Sequence, residues 1–517
     1  MSPNAPINQN ALVAFVVIAL GLFGALFAGV FVARGNELYL AMGFVVLVGL
    51  TIALTLGRNY WMLIFATMGL SGSASVLPLP FSFAELGTLA TFGLMIPYIA
   101  LKRVRFNPRW EWSDYLLLIN FAYLVTVWVR NPAGVRIFET EIVGGRAYVT
   151  VVIAMMGYFV LRNVFPSSRF VRWAPLVIAI PYLIHAGINV ITQHFPVLGR
   201  VIYPIYSGVD VSDLIAADTS SENSRLTAYG MVTYPLILLL CAYFRPITLL
   251  NPFNFLGFIG LCVAIVSIAL SGFRSAIFQL VGLMSVGTIL RKRWSELIIL
   301  VTIGTISLVG LVGLHAAGVQ LPYGLQRAVS FLPIGLDEAA KANADETTEW
   351  RVDMWKDAWN TPEVINNKVL GDGFGFRQDV LRLIMQRLMS GTEMVGAKSY
   401  ELHMLQGSFH SGPLSAIRFV GIVGFALMLV WMLALFVQSI RLVRKATGTP
   451  AAAWAIYTAM PLVYLPFGYI VIFGDYPPTL IAMIYATGTL SAIENYLQDR
   501  SQARKDAKLE STGAIPS

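Results

Sequence analysis

Runs of about 20 apolar residues recur from one end of this chain to the other, separated by short polar breaks. They lie at about 11–33, 38–57, 60–78, 83–101, 115–130, 147–165, 170–192, 226–244, 253–271, 274–290, 296–314, 413–438, 453–473 and 478–497. A segment in lipid must satisfy its own backbone hydrogen bonds, which leaves helices and closed barrels. A helix of roughly 20 residues crosses the ~30 Å hydrocarbon layer. The runs are continuous rather than alternating, so they are unsuited to barrel strands. The expected fold is an all-α polytopic membrane protein with about fourteen transmembrane helices. The 60–78 and 274–290 runs are short or rich in Gly and Ser and also suit re-entrant segments. With 57% of residues hydrophobic and 12% charged, 517 residues could not clothe a soluble surface. The first run lacks a basic leader and a small-residue cleavage site and reads as a retained helix. Cys241 and Cys262 fall inside apolar runs and read as packing residues, not a disulfide or metal pair.

The net charge of +8 is unevenly placed. Basic residues gather in short breaks: Lys102, Arg103, Arg105 and Arg109; Arg162, Arg169 and Arg172; Arg291, Lys292 and Arg293; Arg441, Arg444 and Lys445. Threading fourteen spans puts all of them, and the tail from Arg500 to Lys508, on one face. That is the positive-inside pattern, with both termini cytoplasmic. Nucleic-acid binding would explain the charge but not its alternation. The opposite face receives 131–146, 193–225, 271–275, 315–412 and 473–478. The expected organisation is eleven helices over 1–314, a large outer-face (periplasmic) loop over 315–412, three helices over 413–498, and a basic cytoplasmic tail over 499–517.

The loop carries Trp350, Trp355, Trp359, Phe374 and Phe376, enough apolar area to fold. The stretch "ETTEWRVDMWKDAWNTPEVI" predicts a helix capped at Thr347 or Thr348 and ending near Pro362. Arg351, Trp355 and Trp359 would share one face of it. Gly371, Gly373 and Gly375 in "NKVLGDGFGF" predict a turn with positive φ or close backbone approach. No strand precedes this G-x-G-x-G, so it is not a dinucleotide fingerprint. The segment 376–391 is amphipathic and suits a helix in the membrane interface or one packed on the loop.

Five histidines are present. His185 lies inside a span and suits a hydrogen bond within the bundle; His194 and His315 lie near span ends. His403 and His410 are seven apart, and even with Glu401 their spacing is not that of a zinc site. His410 stands where the polar loop meets the next apolar run. Among outer-face arginines, Arg274 sits in "ALSGFRSAI" between two apolar runs, Arg225 in "SENSRLTAYG", and Arg351 in the loop. A guanidinium held at the membrane boundary calls for an anion, and a lipid-linked phosphate or pyrophosphate would be held bidentately.

The ordered motifs "SGFRSAI", "WRVDMWKDAW", "NKVLGDGFGF" and "FHSGPLSAIRFVGIVGF", spread over about residues 220–430, resemble the O-antigen ligase and O-antigen polymerase superfamily. The last of them contains the Leu414, Gly421, Gly424 run that enters a helix. Ser411 stands where that family usually has Asn, Arg418 where it often has Glu, and the family usually has about twelve spans. The resemblance implies a GT-C-like membrane glycosyltransferase of the inner membrane. Its donor would be a glycan on undecaprenyl pyrophosphate. Its acceptor would be a sugar hydroxyl of lipid A core, or of a second lipid-linked glycan. Neither metal nor nucleotide cofactor is implied. Arg274 and Arg351, with Arg225 as a third candidate, would hold the pyrophosphate, and His410 would accept the acceptor's proton in one inverting displacement. A transporter or flippase for a lipid-linked or anionic solute is the alternative class. It would place ionisable groups such as His185 or Glu85 at membrane depth, with internal repeats, and no clear repeat is visible.

Overall fold

The computed structural model describes residues 51, 55–73, 81–102, 104–107, 109–132, 144–209, 226–330, 338–375, 403–404 and 406–511. The run at 11–33, nearly all of that at 38–57, the amphipathic segment 376–391, and Arg225 lie outside the described residues. Within them the chain is helical, and pairing of the strand type is limited to one isolated bridge, Ser73 with Ser82. The longer helices are α1 (Phe83–Ala100), α2 (Trp112–Arg130), α3 (Gly145–Arg162), α4 (Ala174–His194), α5 (Gly230–Tyr243), α6 (Phe255–Ser271), α7 (Arg274–Leu290), α8 (Trp294–Ala316), α9 (Glu338–Asn360), α10 (Gly412–Ala446), α11 (Ala452–Phe467) and α12 (Tyr476–Ser511).

Among the described residues, seven helices are long and apolar enough to cross a bilayer: α1 to α4, α8, α10, and α11 with its π-helical continuation Gly468–Ile472. The helices α6 and α7 have 17 residues each, at the short end of a span. The 478–497 run lies within α12, whose polar C-terminal half runs on past it. The 60–78 run, described only as far as Ser73, does not form a spanning helix there. It forms a seven-residue helix, Met62–Met68, and then leaves helical geometry. The chain folds back there because Gly72 and Ser73 bond to Phe83 and Ser207 instead of continuing a helix.

The polarity of the bundle is that of a protein solvated by lipid. Large apolar side chains face outward, such as Val129, Ile298, Ile306 and Val309, and α8 buries none of its residues. The interior holds aromatic stacks, Trp61 on Trp454 at 5.2 Å, together with paired charges. Arg146 bonds Glu85, and Thr150 adds a second contact to that carboxylate at 2.8 Å. Arg162 bonds Asp114 at 2.8 Å, and Tyr158 donates to the same carboxylate at 2.8 Å. Cys241 is buried, Cys262 faces outward, and both are free thiols.

Loops far apart in the chain meet at one end of the bundle. Arg441 reaches Glu111 at 3.4 Å, Lys445 reaches Glu494 at 3.7 Å, and Asn107 bonds Asn495 at 2.7 Å. These contacts gather the basic clusters at one end of the bundle. The opposite end carries α9, the glycine turn, and the start of α10.

The helix α9 begins ahead of the predicted Thr347 or Thr348 cap, because Ala339, Ala340, Ala342 and Ala344 extend it upstream. It ends at Asn360, as the Pro362 signal predicts. Met354 and Ala358 are fully buried, against Ile365, Phe409 and Leu414, whereas Trp359 is 40% exposed. Trp355 instead donates its indole N–H to the Phe409 carbonyl at 2.7 Å, tying α9 to the strap ahead of α10.

The glycine turn docks in a break of α10. Gly371 and Gly373 have φ of +79° and +73°, as predicted, and within α10 Gly421 has φ +70° and ψ 178°. In an unbroken helix the N–H groups of Ile422 and Val423 would bond the Arg418 and Phe419 carbonyls. Here they bond Lys368 O (2.8 Å) and Val369 O (3.1 Å), while Asp372 N and Gly373 N take the Arg418 and Phe419 carbonyls at 3.1 and 2.8 Å. A Cβ on Gly371 would lie 2.4 Å from the Val420 backbone, and one on Gly421 2.3 Å from Val369 O, so neither position accepts a side chain.

Candidate functional site

Three of the four predicted site residues come together at this end. Arg274 is the first residue of α7, just after the left-handed Gly272 that closes α6. The turn is held by the buried Arg327, which donates to Gly272 O at 3.2 Å. Arg274 reaches across to α9, where its Nη2 donates to Thr348 Oγ1 at 2.9 Å. That puts Arg274 one turn of α9 away from Arg351. The two guanidiniums are close enough to repel: burial first, and then the Arg274 charge, lower the pKa of Arg351. Among the described residues Arg351 meets no carboxylate, and its Nε is buried without a hydrogen-bond partner.

His410 lies beside Arg351, on the other wall. Its ring contacts Trp350 at 6.4 Å between centroids, His403 at 4.9 Å edge-to-face, and Phe473 at 4.9 Å stacked. Its backbone is left-handed, φ +55°, an uncommon conformation for a residue with a branched ring system. Such strain persists only where the surroundings over-determine it, and it concentrates at functional sites. Burial, then His403, then Arg351 bring the His410 pKa down to about 4, so the ring is a neutral base at neutral pH.

Sequence reasoning missed Asp475, in the turn "FGDYPP". Its Oδ2 stands 4.0 Å from His410 Nδ1, just outside hydrogen-bond reach. It accepts the Ser408 hydroxyl at 2.9 Å and the His410 backbone N–H, which fixes the left-handed turn. Burial pushes the Asp475 pKa up to about 6 despite these bonds, and its Oδ1 is buried with no partner among the described residues. The carboxylate and imidazole therefore have pKa values displaced by their surroundings, as acid–base sites do. No sequence signal beyond an acid in a short outer turn could have indicated this, because the contact closes a gap of more than sixty residues.

Other candidates resolve as structure. Arg418, which departs from the resembled family's pattern, is fully buried. It donates to Gly373 O at 3.2 Å and Gly375 O at 3.3 Å, with Asp372 at 3.9 Å, and so locks the glycine turn. Glu85 closes a capping box with Ser82 and pairs with Arg146. His185 meets the Tyr206 hydroxyl at 2.7 Å, the hydrogen bond within the bundle that its position predicts. His194 meets the Tyr229 hydroxyl at 3.0 Å.

The arrangement sets two guanidiniums beside a neutral imidazole backed by a carboxylate. It suits a group carrying more than one negative charge held next to a hydroxyl that loses a proton. Compared with models of known protein families and with curated proteins, the chain matches none.

Proposed function

We propose that this protein is a membrane-embedded glycosyltransferase, resembling the O-antigen ligases and polymerases, of GT-C-like architecture with about fourteen spans. The site lies on the periplasmic face of the inner membrane and both termini are cytoplasmic. The observation that carries the reading is the meeting of Arg274, Arg351 and His410 at one end of the bundle, with Arg351 lacking a carboxylate among the described residues. A half-buried guanidinium that faces a second cation is unfavourable by itself. A ligand that supplies the missing anion explains why the cost is borne.

The donor is a glycan on undecaprenyl pyrophosphate. The bond between the anomeric carbon and the pyrophosphate oxygen breaks, and its electron pair leaves with the diphosphate. Arg351 and Arg274 stabilise that growing charge more than they stabilise the bound donor. The acceptor hydroxyl oxygen forms the new bond to the anomeric carbon from the opposite side, with inversion. Its proton passes to the His410 imidazole, and the Asp475 carboxylate stabilises the imidazolium that results. Once the products leave, His410 returns the proton to solvent. The acceptor is lipid A core or a second lipid-linked glycan. Arg225, outside the described residues, remains a candidate third contact.

Deleting the gene and examining surface glycans tests the reading. Single repeats without long chains identify a polymerase. Lipid-linked polymer with nothing on the core identifies a ligase. Unchanged surface glycans refute both.

A further inference from the structure

A second imidazole stands against His410, and the proposed reaction makes no use of it. The two histidines bracket a short segment: His403, Met404 and Gln406 are helical, Ser408 N bonds His403 O at 3.1 Å, and Gly407 and His410 both turn left-handed, at φ +66° and +55°. The rings stand 4.9 Å apart between centroids with planes 84° apart. Trp350 covers both, at 5.5 Å from His403 and 6.4 Å from His410. Both Nδ1 atoms are buried with no hydrogen-bond partner among the described residues, so no direct N–H···N bond joins the pair through them. A ring with no hydrogen bond on Nδ1 must be held by its neighbours' shapes. Phe473 stacks on His410, and the near-perpendicular His403 stops it from rocking.

We propose that His403 is a positioning residue for His410: its ring fixes the orientation of the His410 imidazole, and the closeness of the two rings forbids both from being protonated at once. The inference rests on the reading of His410 as the base. The charged and titratable groups facing His410 are His403 from its own loop, Arg351 from α9, and Asp475 from the turn between α11 and α12; Arg274 acts on it through Arg351. Of these, Asp475 loses its negative charge and His403 gains a positive one as pH falls towards the range where His410 titrates. Burial lowers the His403 pKa too. As pH falls, a proton on the His403 ring disfavours a second on His410 beside it. Transfer thereby keeps a neutral base to lower pH than an isolated histidine would allow.

The test uses the full chain in detergent micelles with histidine labelled at Cε1, the His410 resonance being assigned by its loss in His410→Asn. In His403→Gln and His403→Phe the His410 midpoint rises by about 0.5–1 pH unit, as expected when a neighbouring cation is removed. An unmoved midpoint in both variants overturns the charge coupling. His403→Phe keeps the edge-to-face contact and retains kcat within about threefold, whereas His403→Gln lowers kcat about tenfold, a loss in the range that misplacing a reacting group produces. Equal turnover of the two variants overturns the orienting role. The resonance is read without turnover. A shifted midpoint in a protein whose His410→Asn form still transfers glycan therefore supports the coupling of the rings and refutes only the base assignment.

Discussion

At the end of the bundle that gathers the basic clusters, Arg162 has Asp114 at 2.8 Å, Arg441 has Glu111 at 3.4 Å, and Lys445 has Glu494 at 3.7 Å. At the other end Arg146 has Glu85 and Arg418 has Asp372, but Arg351, between them in the chain and also substantially buried, has no acid among the described residues. Its neighbours are a second guanidinium and a histidine kept neutral. The contrast separates two uses of the same side chain. A paired guanidinium is saturated and holds helices together. One left without an acid, and facing a second cation, is unfavourable by itself and favourable only with an anion bound.

The largest effects to set against this contrast come from exchanging the two kinds of arginine. Arg418→Met leaves Asp372 buried without its cation and releases the glycine turn, and it is expected to cost about 3–5 kcal/mol. Arg351→Met removes an uncompensated charge and leaves thermal stability unchanged or higher, while glycan transfer falls by at least about a hundredfold. Thermal unfolding in detergent, beside transfer in cells lacking the native gene, reads both. If Arg351→Met unfolds like Arg418→Met, the two arginines do the same job and the contrast is wrong.

Asp475 gives the next effect, of opposite sign for stability and activity. Its carboxyl holds its proton more tightly folded than unfolded, with a pKa of about 6 against an ordinary 3.8. That contribution is complete below 3.8 and is lost as pH rises through about 6. Asp475→Asn is therefore expected to stabilise the protein above pH 6 by roughly 1–3 kcal/mol, an advantage that fades on acidification below that range. Its transfer rate falls by about ten- to a hundredfold, because the imidazolium loses its counter-charge. Unfolding temperature measured at pH 5 and pH 7.5 decides the first half; a gain at pH 5 equal to that at pH 7.5 contradicts it.

A smaller effect tests the anion directly. The Arg351 charge is one cause of the low His410 pKa. Inorganic pyrophosphate bound at Arg351 and Arg274 would offset that charge and raise the His410 midpoint by roughly 0.5–1 unit. Arg351→Met should raise the midpoint by itself and abolish the response. Pyrophosphate that binds, by calorimetry, without moving the midpoint would place the anion elsewhere. The smallest effect belongs to the opposite end, where Lys445 is 61% exposed beside Glu494. Lys445→Ala is expected to change stability by less than about 1 kcal/mol.

Much of the helical plan was legible because length and continuous hydrophobicity dictate spans. The seven-residue helix at Met62–Met68 was not, because the bonds that end it come from Phe83 and Ser207. The order of the motifs pointed to Arg274, Arg351 and His410, and the structure sets them side by side. Asp475 and the lock between Arg418 and the glycine turn stayed hidden. Each depends on one residue meeting another far along the chain, and neither carries a periodicity. On α9 a smaller side chain makes the close contact: Trp359 lies under the Lys368 ammonium at 4.6 Å, at the surface, while Ala358 is fully buried.

The break at Gly421 has a mechanical consequence. Nine residues, 412–420, precede it, and the peptide bonds on both its sides are shared with the turn at 368–373 rather than with the rest of α10. The short stub next to His410 is riveted sideways into the crown, while the long rod below it stands in lipid. The two parts of α10 are thus joined through the 368–373 turn as well as through the chain itself, and the stub beside His410 takes its direction from that turn.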